Sequence, residues 1–147
     1  MKVSIQKIVS AQKRLDTAKA IKLEEADAIK LLKNRKSMRP YVTEYEEFEK
    51  DCREKFKVDG LEDADKKRFE VYNKLKDNKA YQPTQEEVDA INKVADYFNK
   101  VNKALSEELE REVEITFEKL SDNADVKLMQ ENGWNYAELD EVDILFK

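Results

Sequence analysis

Apolar residues recur along this chain at two periods, and the points where the period changes mark its elements. In "LSEELEREVEITFEKL", residues 105 to 120, Leu105 and Leu109 are spaced as on one helical face, whereas Val113, Ile115 and Phe117 alternate with the period of two that belongs to a strand. "KVSI" at 2 to 5 alternates in the same way, and Ile5, Ile8, Val9 and Leu15 fall on one face of a short helix expected over 6 to 18. From Leu23 through Ala26, Ile29, Leu32, Met38, Val42, Tyr45, Phe48, Cys52 and Phe56 the steps are mostly three and four, which predicts one long amphipathic helix. Pro40 interrupts it, removing a backbone bond at a cost of about 3 kcal/mol, so a kink or break is expected near Arg39.

Gly60 suits the left-handed position that ends such a helix. Residues 63 to 77 form a weaker helical candidate with Phe69, Tyr72 and Leu75 on one side. Thr84 and Glu87 have capping-box spacing, and behind them Val88, Ile91, Val94, Phe98, Val101, Leu105 and Leu109 make a second long stripe. Two long stripes joined by a connector over 58 to 82 predict an antiparallel helical hairpin. That hairpin returns the chain to its start, so "EVEITF" at 112 to 117 can pair with "KVSI". The tail reads as a helix from Asp122 to Glu131, a stop at Asn132 and Gly133, and a last helix from Asn135 with Glu138 at capping-box distance. Val126, Leu128, Met129, Trp134, Leu139, Val142, Leu145 and Phe146 supply its apolar surface. The expected fold is mainly α in a single domain over 1–147: a helical stalk over about 23–110 and a small mixed head from 1–20 and 111–147, including a two-stranded β-ribbon.

Composition narrows the chemistry. Charged residues make up 41% of the chain against only two Gly and two Pro, which suits long solvated helices. Neither an apolar signal-peptide core nor a bilayer-length apolar run is present, and a lone Cys52 forms no intramolecular disulfide, so a soluble protein in a reducing cytoplasm is expected. There is no histidine, which removes the commonest general base, the commonest metal ligand and every Ser-His or Cys-His nucleophile. Gly60 and Gly133 are isolated, and "LMQENGWNYAEL" fails as a calcium loop because Leu128 and Leu139 would stand at its first and closing ligand positions. Cys52 lies on the stripe between Phe48 and Phe56 and reads as a small buried hydrophobe. No catalytic residue, metal ligand or cofactor site is expected.

Charge is unevenly distributed. Residues 1–40 hold eleven Lys or Arg against four Asp or Glu, and residues 104–147 hold four against thirteen. The simplest consequence is that the two ends lie together and partly neutralise each other. The densest basic cluster, "KLLKNRKSMR", carries Lys30, Lys33, Arg35, Lys36 and Arg39; such a helix can follow a phosphate backbone, although it lacks interleaved aromatics and the whole chain carries −5. At the acidic end Glu107, Glu110, Glu114, Glu118, Glu138, Asp140, Glu141 and Asp143 form a candidate partner-facing surface, fitted to a basic groove on another protein or to mimicry of nucleic acid.

The order of segments, a short strand with "IVSAQKRL" behind it, then "IKLEEADAIKLLKNRKSMRPYVTEYEEFEKDCREKF", then a second helix closing on "LSEELEREVEITFEKL" and a helical tail, resembles a group of small uncharacterised proteins of tailed bacteriophages and prophages. The likeness spans most of the chain, with 58 to 82 departing from it as a longer connector, and it brings no activity or functional residue with it. It implies a viral protein acting in a bacterial host cytoplasm or in a virion. Together these readings predict a non-enzymatic protein-interaction module, as an assembly factor, a virion component or an inhibitor of a host system. Its partner would be a phage structural or host protein, leftover apolar width would drive self-association, and no membrane is involved. The alternative is nucleic-acid binding through the basic helix 30–39, or an acidic nucleic-acid mimic that inhibits a host defence protein.

Overall fold

The computed structural model describes residues 1–147 and is mainly helical. Its elements are β1 (Lys2–Ser4), α1 (Ile5–Asp16), α2 (Glu25–Lys55), α3 (Leu61–Asp77), α4 (Gln85–Glu110), β2 (Glu112–Glu114), α5 (Ala124–Asn132) and α6 (Tyr136–Asp140), followed by a 3-10 turn at Asp143–Leu145. The chain divides into two compact units, Met1–Glu47 with Glu107–Lys147 and Phe48–Ser106, and α2 and α4 contribute to both.

In the first unit β1 and β2 pair antiparallel with Lys2 opposite Glu114, Val3 opposite Val113 and Ser4 opposite Glu112. The ribbon expected over 112–117 is therefore shorter. Ile115 still donates its N–H to the Met1 carbonyl at 3.0 Å, but beyond it the chain leaves β1 to follow α2. Ser4 ends the first strand and opens α1, its hydroxyl accepting the Lys7 N–H at 3.3 Å. Ile5, Ile8, Val9, Ala11 and Leu15 are buried along α1, with Leu120, Leu128, Val142, Ile144 and Leu145 buried in the same unit.

Helix α2 runs unbroken through Pro40. Pro40 and Lys36, whose carbonyl loses its N–H partner, are both exposed, so water can serve that carbonyl. Of the kink or break expected near Arg39, a break does not occur. The first turns of α2 also bury a different face from the one expected. Ala26, Ile29 and Leu32 are exposed, while Asp27, Leu31 and Asn34 are buried in their place; Leu23, Met38, Val42, Tyr45 and Cys52 are buried as the stripe predicts.

The cause is the segment from Arg111 to Ser121, which runs antiparallel along α2. Arg111 pairs with Glu44 at 3.6 Å, the Tyr41 hydroxyl donates to the Glu114 carbonyl at 3.3 Å, and Lys30 Nζ donates to the Lys119 carbonyl at 3.1 Å. Asn34, 1% exposed, donates Nδ2 to the Glu118 carbonyl at 2.9 Å and accepts the Glu118 N–H at 2.8 Å. Asp27, 3% exposed, accepts the Ser121 N–H at 2.9 Å and also the Ser121 hydroxyl. Ile115 and Leu120 are buried on the same segment.

In the second unit the region expected to be a connector contains α3, which packs on α4 through Ala64, Ala90, Val94 and the half-buried Leu61. Tyr97 donates to the Arg53 carbonyl at 3.4 Å and Lys93 to the Asp59 carbonyl at 3.3 Å, so the end of α2 runs antiparallel to α4 within this unit. Gly60, at φ 76°, turns the chain into α3, the left-handed conformation that glycine adopts without a Cβ penalty. Phe69 and Tyr72, on one side of this helix, face solvent, while Ala64 and Val71 are buried.

Two substitutions test this account. Asn34→Ala leaves the Glu118 peptide groups without their partners, and urea denaturation should show a loss of about 2 kcal/mol. Pro40→Ala restores an N–H opposite the Lys36 carbonyl, and should raise stability by about 1 to 3 kcal/mol in the same measurement.

Candidate interaction surfaces

Between α1 and α2 the chain crosses a short loop that α5 holds. Glu131 accepts the N–H groups of Ile21 and Lys22, each at 3.0 Å, and Asn132 accepts the Lys19 N–H at 2.6 Å while donating to the Lys19 carbonyl at 2.8 Å. The consecutive amides of the loop thus find a carboxylate, and their backbone is fixed without secondary structure. Gly133, at φ 64°, caps α5 immediately afterwards and ends it where these side chains are needed.

The fixed loop and the outer face of α2 form an open groove of about 360 Å³ lined by Ala20, Ala28, Ile29, Leu31 and Leu32, with Glu25 at one end and Arg35 at the other. Ile29 and Leu32 are 49% and 57% exposed, and Ile21 beside Ala20 is almost wholly so. Ile29 and Leu32 read as part of the packing stripe in the sequence. A reading back from Met38 in steps of four and three, through Asn34, Leu31 and Asp27, would have turned the helix correctly and left Ile29 and Leu32 outside.

The basic cluster is largely engaged by the chain itself. Lys30 holds the Lys119 carbonyl, Lys33 pairs with Glu118 at 2.9 Å, and Arg35 pairs with Asp16 at 2.7 Å. Lys36 and Arg39 remain exposed and unpaired. Since log K for a duplex falls with log salt at roughly −0.9 per phosphate neutralised, two free cations carry a slope near −2, where five would approach about −4.5.

The acidic residues are likewise divided. Glu114 accepts the N-terminal ammonium at 3.1 Å, Glu118 is held by Lys33, and Asp143 pairs with Lys147 at 2.9 Å. Glu138 closes the capping box on Asn135, and Arg14 lies 3.6 Å from it. Glu141 takes a two-pronged bond from Arg14 at 2.8 and 3.1 Å, which holds its carboxyl below the ordinary range. Glu107, Glu110 and Asp140 are exposed without a partner. Basic N-terminal and acidic C-terminal segments therefore do neutralise each other within the first unit. No continuous acidic face gathers all eight residues free of partners.

Cys52 is buried and free. No group of three or more Cys, Asp and Glu side chains is placed to hold a metal ion, and no helix is long and apolar enough to cross a membrane. The most strongly shifted carboxyl is Glu87 in the second unit. It accepts the Thr84 N–H at 3.0 Å, the Tyr81 hydroxyl at 2.5 Å and the Lys74 ammonium at 3.3 Å, while its own N–H donates to the Thr84 hydroxyl at 3.2 Å. The capping box expected at Thr84 and Glu87 is thus formed, and these donors hold the carboxyl at about 2. Their bonds close the site upon itself, which is the role of a structural latch on the start of α4.

No protein-family model, no curated protein and no solved structure matches this chain.

A carboxyl with a lower pKa in the folded than in the unfolded chain stabilises the fold above its ordinary value of 4.5 and loses that contribution as pH falls toward about 2. Glu87→Gln should accordingly flatten the decline of unfolding free energy between those two pH values, measured by urea titration at each pH. Equal declines in the two proteins would refute the latch.

Proposed function

We propose that this protein is a non-catalytic interaction module that receives an apolar helix of a protein partner in the groove of Ala20, Ala28, Ile29, Leu31 and Leu32. The observation that carries this reading is the pair Ile29 and Leu32, two large apolar side chains about half exposed on a helix face held rigid by Asp27 and Asn34 on its other side. Branched apolar side chains at i and i+3 beside a fixed loop are the geometry of helix-in-groove recognition, in which a partner supplies anchors at matching spacing. Glu25 and Arg35 stand ten residues apart on α2, about 15 Å along its axis, and would flank a segment of two to three helical turns. Arg35 is already neutralised by Asp16 at 2.7 Å, so Glu25 is the uncompensated charge of the groove and favours the positive N-terminal end of a bound helix beside it.

The likeness to small proteins of tailed bacteriophages supplies the setting of this reading: a bacterial host cytoplasm or a virion, with a phage structural protein or a host protein as partner. An assembly factor, a virion component and an inhibitor of a host system all act through such a surface without chemistry of their own.

The test is affinity capture of the tagged chain from phage-infected or lysogenic cells beside the double variant Ile29→Asp, Leu32→Asp. Both positions are exposed, so the variant should keep the far-UV circular dichroism and melting temperature of the parent. A partner recovered with the parent and lost with the variant is the expected result. Recovery of the same proteins in equal amount with both would refute the groove, and retardation of DNA or RNA at low salt, abolished by Lys36→Glu with Arg39→Glu, would replace it by the nucleic-acid reading.

A further inference from the structure

On α3, the side of the helix turned away from Ala64 and Val71 carries Glu62, Asp65, Phe69, Tyr72 and Lys76, and Lys79 follows in the turn just beyond the helix. Within the helix the steps from Glu62 to Lys76 are three, four, three and four, the spacing of a coiled-coil seam, and Asn78 is extended, so Lys79 lies past the end of that seam. All six are exposed, Phe69 and Tyr72 to 60% and 62%. Two large aromatics at the centre of a seam without an intramolecular partner form an unpartnered face. What makes this face specific is its charge order: two acids, two aromatics, two bases.

We propose that this stripe is a self-complementary surface whose partner is α3 of a second copy of the same chain, packed antiparallel about a two-fold axis between Phe69 and Tyr72. In that register Asp65 meets Lys76 of the second copy and Phe69 meets Tyr72, while Lys79 in the turn beyond comes to the end of the seam where Glu62 lies; the axis then repeats each contact with the roles exchanged. Every acid faces a base and each aromatic faces the other kind. The layers alternate between the two seam positions as an antiparallel helix pair requires. A parallel pairing would set Glu62, Asp65, Lys76 and Lys79 each against its own copy, with like charges at every polar layer.

The surroundings fit the same occupant. Glu62, Lys76 and Lys79 have no ion-pair partner within the chain, and Asp65 has only the exposed Arg68 one turn on, at 2.8 Å. Positions flanking the seam, Lys66 with Asn73 and Arg68 with Leu75, bring no like charges together. Beside Glu62 and Asp65 a shallow depression of about 140 Å³ is floored by Leu61, Val94, Tyr97 and Phe98. The aliphatic stem of a lysine lies well on such an apolar floor while its ammonium reaches the two carboxylates. One helix face per subunit buries less than the roughly 1,200 Å² of a permanent complex, so the association depends on concentration.

Sedimentation equilibrium of the full chain tests this. The apparent mass should rise from the 17.3 kDa monomer toward twice that value as concentration increases from roughly 10 µM to 1 mM. Two charge variants then test whether the stripe is the contact: Glu62→Lys with Asp65→Lys makes it basic throughout, and Lys76→Glu with Lys79→Glu makes it acidic throughout. Each alone should associate about tenfold more weakly or worse, because like charges replace opposite ones. An equimolar mixture should recover a 1:1 dimer at least as tight as the parent. Far-UV circular dichroism checks that all three proteins are folded. A parent that stays monomeric across the range, charge variants that self-associate as well as the parent, or a mixture that fails to associate would each overturn the proposal.

Discussion

Eleven residues, from Arg111 to Ser121, have almost no secondary structure beyond the three of β2, yet they carry two buried apolar side chains and lie along a helix. Backbone groups in such a position must find partners, and here the side chains of α2 provide them. Asn34 is the centre of this arrangement, because a carboxamide both donates and accepts and so can serve the N–H and the carbonyl of Glu118 together. Asp27 serves Ser121 two turns away, and the serine hydroxyl and N–H hold its carboxyl below the ordinary range. Once these polar residues are directed inward, the rotation of α2 is set, and Ile29 and Leu32 can only lie outside.

The groove and the loop beside it follow from that rotation. A loop without secondary structure would ordinarily be mobile, but Glu131 and Asn132 satisfy three of its amides and one carbonyl, which fixes the backbone on either side of Ala20. Most charges near the groove are spent on similar internal duties. Lys30, Lys33 and Arg35 support the fold of the first unit, so a cluster that looks like a cationic binding face is in large part scaffolding.

The second unit expresses the same physics with smaller side chains. Its helices meet through Ala64, Ala90 and Val94, and small residues let helix backbones approach closely. Phe69 and Tyr72 lie on the outer side of α3, exposed to solvent.

Much of the architecture was legible in the residue pattern, because helix and strand periods, the capping boxes at Thr84 with Glu87 and at Asn135 with Glu138, and the stop at Gly133 are local properties of a few neighbouring residues. The partnership of "KVSI" with the strand after α4 was legible too, since two short alternating segments each need an edge to pair with. The candidate surfaces were not, because apolar spacing says that a helix has a face and not which of two plausible faces is covered. On α2 the choice fell to Asp27 and Asn34, polar residues that a hydrophobic count skips; on α3 it fell to Ala64 and Val71, smaller side chains that such a count weighs below Phe69 and Tyr72. Sequence by itself determined the elements, their caps and the absence of histidine chemistry. Tertiary structure decided which apolar residues became core and which became surface, because that depends on the segment from Arg111 to Ser121 and on α4, whose positions no local pattern encodes.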